Sequence, residues 1–225
     1  MIVGITLGVV MVQIGGVLLA AGEGSRLGGP KALVELAGIR LVERGVALLR
    51  AGGTAPLVVV TGAVDVALPG VTTVHNPDWR SGMGSSLAAG LSALPAGCEA
   101  AVVALVDQPL VTPVVVRRLV AAYLAGAGLA VATYRGQPRN PVLLARGHWP
   151  GVLDLAAGDV GARPYLRAHP ELVTAVECGD IGRPDDIDTP ADLARVSEIL
   201  ATAPPVAAES PGAPRNVSRS PRAPG

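Results

Sequence analysis

The chain has 225 residues, of which half are apolar and only 2% are aromatic, with no phenylalanine. Its 18 basic and 18 acidic residues cancel, so no charge excess predicts binding to nucleic acid or to a membrane surface, and a small-molecule partner is expected. This length suits one domain with a sizeable core, which must be packed from valine, leucine and alanine.

The first twenty-two residues carry no charge, and an apolar run of this length can cross a membrane. A buried β-strand from about residue 12 to residue 20 is the better interpretation, because the run continues into a glycine-rich loop and no basic segment precedes it. We expect residues 1–11 to be an N-terminal extension, with Met11 a candidate start, and residues 12–201 to be the folded domain. Residues 202–225 are rich in proline, alanine, serine and arginine and are expected to be a disordered tail. Two cysteines and no recognisable secretory signal predict a cytoplasmic location.

The segment from Leu19 to Lys31, LAAGEGSRLGGPK, holds four glycines and two cations. Glycines let backbone N–H groups approach an anion closely, and the side chains of Arg26 and Lys31 can neutralise phosphate oxygens. An ordinary glycine-rich turn would explain the glycines alone, whereas the two cations favour a cradle for a triphosphate. The spacing excludes a dinucleotide fingerprint, because Leu27 stands where its third glycine belongs, and excludes a P-loop, because Pro30 stands where its lysine belongs.

The chain then predicts a helix over residues 40–51 and strands over 56–61 and 71–74, a pattern typical of an α/β fold with right-handed parallel crossovers. Residues 75–87, HNPDWRSGMGSSL, combine turn residues with flexible glycines. They predict a surface loop that leads into a helix capped by Ser85 or Ser86.

A buried strand is predicted over residues 100–106, and Asp107 follows it directly. A carboxylate in this position stands at the carboxyl edge of the sheet, where open α/β folds bind ligands, and Mg²⁺ favours such a carboxylate together with substrate phosphates. The alternative is that Asp107 caps the next helix, over residues 112–126. Thr112 and Pro113 already provide a cap and a first-turn proline for that helix, which leaves Asp107 free for chemistry.

Further along, the pattern predicts a strand over residues 129–134, a turn that feeds another strand, and a glycine-flanked loop at residues 158–163. An acidic run at residues 185–188 precedes a helix with Thr189 as its cap, proline at its first position and Asp192 in its first turn. A turn with solvated charges is the simple interpretation of the two loops and of the acidic run. Neighbouring carboxylates repel one another, however, unless a cation lies between them.

The loop LAAGEGSRLGGPK resembles the signature loop of nucleotidyltransferases built on a Rossmann-like fold. The segments NPDWRSGMGSSL, DQP, RNPVLL, GDVGAR and DIDTPADL, in this order, resemble the molybdenum cofactor cytidylyltransferase family within the MobA-like NTP transferase superfamily. The resemblance implies an α/β, Rossmann-like three-layer fold with a mostly parallel central sheet.

The resemblance also implies roles for individual residues. Arg26, Lys31 and Asp107 would be catalytic, and Asp107 would bind Mg²⁺ with a second contact from Asp186 or Asp188. The implied nucleotide-binding residues are Leu19, Ala20, Ala21, Gly22, Gly24, Ser25, Arg26, Lys31, Asn76 and Ser85. The implied acceptor-binding residues are Arg139, Asn140, Asp159 and Arg163.

The implied reaction transfers CMP from CTP to the phosphate of molybdenum-loaded molybdopterin and releases pyrophosphate, with a molybdenum hydroxylase as the client of the product. The pair Ala20-Ala21 before Gly22 favours CTP, because the guanylyl branch usually has a glycine in place of the second alanine. A guanylyltransferase or a sugar-phosphate nucleotidylyltransferase of the same fold is the alternative. A non-catalytic carrier of the molybdenum cofactor is an alternative of another class.

Overall fold

The computed structural model describes residues 12–202. Strands and helices alternate along most of this range. In chain order they are β1 (Gln13–Leu19), β2 (Glu35–Leu36), β3 (Ile39–Arg40), α1 (Leu41–Ala51), β4 (Leu57–Thr61), β5 (Thr72–His75), α2 (Met83–Ser92), β6 (Cys98–Leu105), α3 (Pro113–Leu124), β7 (Leu129–Tyr134), β8 (Gln137–Ala145), α4 (Trp149–Leu155), α5 (Arg163–Ala168), β9 (Val173–Glu177) and α6 (Pro190–Thr202).

Seven strands form one sheet in the order β5-β4-β1-β6-β8-β7-β9, while β2 and β3 pair separately as a small hairpin. Strand β8 runs antiparallel to both of its neighbours, and the other pairs in the large sheet are parallel. The central strands β1 and β6 are buried on both faces, as expected for parallel strands covered by helices. Their carboxyl ends therefore lie side by side. Leu19 is the last residue of β1, and Asp107 follows shortly after the end of β6.

Helices cover both faces of the sheet and enclose two apolar cores. On one face, Leu18 of β1 packs in a cluster with residues of α1, α3 and α6. On the other face, Val17 of the same strand packs in a cluster with residues of α2 and α4. Successive side chains of a strand point to opposite faces, so one strand supplies both cores. The predicted three-layer α/β fold with a mostly parallel sheet is confirmed.

The structure corrects two predicted helix caps. Helix α2 begins at Met83, with Gly82 before it, so Ser85 lies inside the first turn, where its hydroxyl donates to the carbonyls of Gly82 and Asp78. Thr112 does precede α3, but its hydroxyl donates to the carbonyl of Ile181 instead of capping the helix. Ser85 is therefore no cap because the helix begins earlier than predicted, whereas at Thr112 a long-range hydrogen bond replaces the local one.

The β7–β8 hairpin is held by a carboxylate from the neighbouring edge strand. The turn residues Arg135 and Gly136 both have positive φ, as a tight two-residue turn requires. Their backbone N–H groups donate to the side chain of Glu177, which also accepts hydrogen bonds from Thr133 and from the N–H of Gly179. The hydrogen bond from Gly136, followed by those from Thr133, Gly179 and Arg135, lowers the pKa of Glu177 to about 2.

Both cysteines, Cys98 and Cys178, are buried free thiols. Each helix within residues 12–202 falls short of the length and apolar character that crossing a membrane requires. The expected N-terminal extension, residues 1–11, lies outside the described residues. So does the expected tail, apart from Thr202, which ends α6.

Candidate functional site

The glycine-rich loop after β1 is shaped by short backbone hydrogen bonds and by one glycine that no other residue could replace. The N–H of Leu27 donates to the carbonyl of Gly24 over 2.8 Å, and the N–H of Lys31 donates to the carbonyl of Gly22 over 3.3 Å. Gly24 has φ +59°, and a Cβ atom there would lie 2.1 Å from the carbonyl oxygen of Gly29. The loop therefore folds back on itself and delivers Lys31 to the end of the sheet.

Lys31 lies between two carboxylates from distant parts of the chain. Its ammonium donates to Asp107 Oδ2 over 2.6 Å and to Asp188 Oδ1 over 2.5 Å. Burial would lower the pKa of Lys31, but hydrogen bonds and charge attraction from Asp107 and Asp188 outweigh it and raise the pKa above its usual value. Lys31 is therefore a charged residue at the carboxyl edge of the sheet.

The acidic segment before α6 is fixed at the end of β6. Ile187 is fully buried, and its N–H donates to the carbonyl of Asp107 over 2.9 Å. This anchor places the neighbouring residues, Asp186 and Asp188, beside Asp107. Asp188 shares Lys31 with Asp107, whereas Asp186 accepts a hydrogen bond from the amide of Gln108 over 2.8 Å.

The other acidic residues of this segment have structural partners. Asp185 pairs with Arg183 over 2.9 Å and also with Arg195. Asp192 accepts from the N–H of Thr189 and donates its own N–H to the Thr189 hydroxyl, so Thr189 is the cap that the sequence predicts and Asp192 makes the capping interaction reciprocal. The charges that face the site are therefore those of Asp186 and Asp188.

One carboxylate oxygen in the cluster is available for a further ligand. Asp107 Oδ1 is buried and has no hydrogen-bond partner among residues 12–202. Desolvation raises the pKa of Asp186; the hydrogen bond from Gln108 opposes this rise, while the negative charges of Asp107 and Asp188 add to it. An orphaned carboxylate oxygen and mutually repelling carboxylates both fit a site for a divalent cation.

A cleft of about 270 Å³ opens beside this cluster. Six of the predicted site residues line it, namely Leu19, Ala21, Gly22, Lys31, Asp107 and Asp159. Six further lining residues were not predicted as site residues: Trp79, Gly82, Met83, Ser86, Leu105 and Val106. Trp79 in the NPDWRSGMGSSL segment could have indicated this part of the cleft, since tryptophan is unusual in a loop of small polar residues.

Asp159 reaches the cleft because glycine backbones pack closely together. A Cβ atom on Gly82, which has φ +114°, would lie 2.2 Å from the carbonyl carbon of Gly158. A Cβ atom on Gly84 would lie 2.5 Å from the carbonyl oxygen of Ala156. The glycines at the start of α2 therefore allow the loop that carries Asp159 to close against this helix.

The remaining predicted binding residues lie outside the lining of the cleft. Asn76 is buried, and its amide donates to the hydroxyls of Ser85 and Ser86, so it organises the loop before α2. Arg139 is exposed and its guanidinium donates to the carbonyl of Pro138. Asn140 lies in β8, and Arg163 is exposed at the start of α5.

Arg26 and the residues near it occupy the outer part of the loop. The guanidinium of Arg26 lies 3.5 Å from Asp188, and its side chain is 70% exposed. Ser25 is exposed beside it, and Ala20 is buried at the start of the loop. Arg26 therefore remains accessible to a ligand that enters from solvent.

A glycine loop, a lysine and a cluster of carboxylates at the carboxyl edge of a Rossmann-like sheet define a nucleotidyltransferase. The chain belongs to the MobA-like NTP transferase family, whose model matches residues 16–173. Its similarity to nicotine blue oxidoreductase of Paenarthrobacter nicotinovorans amounts to 39% identity over 195 residues, which is 80% of this chain and 95% of that protein.

Two solved structures extend the comparison. A nucleotidyl transferase from Methanothermobacter is 25% identical, with a TM-score of 0.70, and the match covers 84% of this chain and 98% of that chain. Rv0371c from Mycobacterium tuberculosis, solved in complex with manganese, is 27% identical, with a TM-score of 0.68, and the match covers 83% and 99% of the two chains. A relative of this chain thus binds a divalent metal.

Proposed function

We propose that this protein transfers CMP from CTP to the phosphate of molybdenum-loaded molybdopterin and releases pyrophosphate, in the domain formed by residues 12–201. The observation that carries the transferase chemistry is the contact of Lys31 with both Asp107 and Asp188 beside the glycine loop. The choice of CTP rests on the pair Ala20-Ala21 before Gly22. A cytoplasmic location and a molybdenum hydroxylase client belong to the same proposal.

In the proposed reaction, an acceptor phosphate oxygen attacks the α-phosphorus of CTP. A new P–O bond forms, and the bond from the α-phosphorus to the bridging oxygen of the β-phosphate breaks, so that pyrophosphate leaves with the bonding electron pair. The acceptor phosphate is already ionised at neutral pH, so the protein need supply no nucleophile of its own. Positioning and charge neutralisation then provide the catalysis.

Different residues of the site bind the triphosphate and the divalent cation in this proposal. Backbone N–H groups of the glycine loop, with Arg26 and Lys31, bind the triphosphate and neutralise its charge. Asp107 and Asp188 would hold the divalent cation, which we propose is Mg²⁺, and Asp188 is favoured over Asp186 because it shares the Lys31 ammonium with Asp107. Bound there, Mg²⁺ would neutralise negative charge on the phosphate oxygens.

The opposite wall of the cleft suits an acceptor that is partly aromatic. The ring of Trp79 lines the cleft and carries the guanidinium of Arg80 at 4.3 Å from its centroid. Met83 adds apolar surface, and Asp159 adds a hydrogen-bond acceptor. A planar ring that bears N–H donors, such as a pterin, matches these groups.

The proposal is tested by measuring pyrophosphate release with Mg²⁺ and CTP, GTP or ATP in turn, with and without molybdenum-loaded molybdopterin. We expect release with CTP only when the pterin is present. Release with GTP would keep the transferase chemistry and refute the choice of base. Tight pterin binding without release would favour the non-catalytic carrier.

A redox function is the second candidate, because the relative at 39% identity is named nicotine blue oxidoreductase. The glycine loop argues against it, since Leu27 stands where a dinucleotide fingerprint needs a glycine. An assay for reduction of nicotine blue by NADH or NADPH, measured as the loss of the dye's visible absorbance, distinguishes the two functions. Catalysed reduction without nucleotidyl transfer would replace the proposed function.

A further inference from the structure

Lys31 is the only lysine in the whole sequence. Its ammonium donates hydrogen bonds to two carboxylates of the protein. Only 16% of its side chain is exposed, and its contacts to Asp107 and Asp188 are 2.6 Å and 2.5 Å long. These are lengths of strong charge-assisted hydrogen bonds. Two of the three N–H donors of the ammonium are therefore held by carboxylates of the protein.

The proposed reaction requires Lys31 to bind the triphosphate and requires Asp107 and Asp188 to bind a divalent cation. The two carboxylates that hold Lys31, those of Asp107 and Asp188, are also the carboxylates that would hold the divalent cation. Two cations a few ångströms apart repel each other strongly in a partly buried site. The ammonium and the metal ion therefore cannot both occupy the space between Asp107 and Asp188.

The surroundings allow the lysine to leave. Its four-carbon side chain is flexible, and a Cβ atom built on Gly28 or Gly29, three and two residues earlier in the loop, would meet no described residue within 4 Å. Arg26, the other cation at Asp188, is 3.5 Å away and mostly exposed, so it does not replace Lys31 as a close partner. Within the part of the chain that the structure describes, Asp107 Oδ1 has no hydrogen-bond partner even with the lysine in place, so the ammonium satisfies the site only in part.

We infer that Lys31 is a resident counter-ion that holds the Asp107–Asp188 pair together until a divalent cation replaces it. The displaced ammonium then turns to the triphosphate. Metal binding frees the cation that nucleotide binding needs, so each ligand strengthens the binding of the other. This inference rests on the proposed function, because it assumes a metal and a triphosphate at this site.

The first test measures Mn²⁺ binding in the absence of nucleotide, by electron paramagnetic resonance, for the wild type and Lys31→Met. Removing the competing ammonium is expected to tighten Mn²⁺ binding about tenfold, within the usual range for coupled sites. The matched control is Arg50→Met, which removes the same charge from an exposed side chain whose hydrogen bonds within the described residues go to the carbonyls of Pro69 and Gly70. Its Mn²⁺ affinity should equal that of the wild type.

Unchanged or weaker Mn²⁺ binding by Lys31→Met would overturn the inference, because the lysine would then not compete with the metal. A second measurement uses the wild type and does not depend on the folding of a variant. In protein labelled with ¹³C-lysine, Lys31 gives the sole side-chain ¹³Cε signal. Saturating Mg²⁺ is expected to shift this signal towards the position of a solvated lysine, and a non-hydrolysable CTP analogue should shift it again. A signal that stays in place when Mg²⁺ binds would also overturn the inference.

The two measurements separate this inference from the proposed function. If the wild type and Lys31→Met bind Mn²⁺ equally well and the wild type releases pyrophosphate from CTP, the exchange of cations is refuted and the proposed function stands. Absence of Mn²⁺ binding from both proteins, even with nucleotide present, would remove the metal-dependent transferase and the exchange together.

Discussion

Replacing Gly24 by alanine should damage nucleotide binding while the folded core stays intact. Gly24 has φ +59°, a conformation that costs an alanine about 1–2 kcal/mol. Its added Cβ would lie 2.1 Å from the carbonyl oxygen of Gly29. That oxygen belongs to the backbone, so it can move only if the loop itself opens.

The conformational cost alone corresponds to roughly a fivefold to thirtyfold loss of affinity if the loop must adopt this shape to bind nucleotide. The collision with Gly29 adds to it. We would measure CTP binding by titration calorimetry together with the thermal midpoint of unfolding. Gly29→Ala is the matched control, because this glycine lies in the same loop without positive φ and its Cβ would meet nothing within 4 Å.

We expect Gly29→Ala to bind CTP like the wild type, and Gly24→Ala to bind at least about fivefold more weakly. If the two variants bound CTP equally well, the loop could not be the triphosphate cradle in the conformation described. A large fall in the thermal midpoint of Gly24→Ala would also contradict the reasoning, since this residue is not part of either apolar core.

Three further predictions concern other parts of the molecule. Asp107→Ala should abolish pyrophosphate release while circular dichroism shows a folded protein, and unchanged turnover would exclude Asp107 from the site. Gly82→Ala, whose Cβ would lie 2.2 Å from the backbone of Gly158, should displace the loop that carries Asp159, so that KM rises for the acceptor but not for CTP; an unchanged acceptor KM would argue against a role of this loop in acceptor binding. Glu177 has a folded pKa of about 2, below its usual 4.5, so its stabilising contribution is complete above pH 4.5 and is lost as the pH falls towards 2. Urea midpoints measured between pH 6 and pH 2 should therefore fall less steeply for Glu177→Gln than for the wild type, and parallel curves would contradict this.

The sequence predicted the parts of the fold that depend on local patterns. Continuous apolar runs located β1, β4, β6 and β7, because strands buried on both faces carry no polar alternation. The cap of α6 was also predictable, since Thr189 and Asp192 interact across one helical turn. The edge strand β9 was not predicted, although its sequence VTAVE is rich in strand-forming valine and threonine.

The arrangement of the site depended on contacts that local patterns do not contain. Asp107 could be placed at the edge of the sheet from the strand before it. That Asp188 rather than Asp186 shares Lys31 follows from the burial of Ile187 and its hydrogen bond to the backbone of Asp107. The close approach of Gly82 to Gly158 likewise joins segments far apart in the chain, and no spacing within either segment reveals it.

The anchoring of Ile187 ties the chemistry of this protein to the order in which the chain is made. Lys31 and Asp188 meet across 157 positions of sequence, so the cation emerges from the ribosome long before its second carboxylate. A nascent chain that has folded its first strands would contain Lys31 and Asp107 but not yet the segment with Ile187 and Asp188 that completes the cluster. The completed charge cluster thus needs the segment that carries Ile187 and Asp188, and a chain truncated before residue 186 should lack it however well its central sheet has formed.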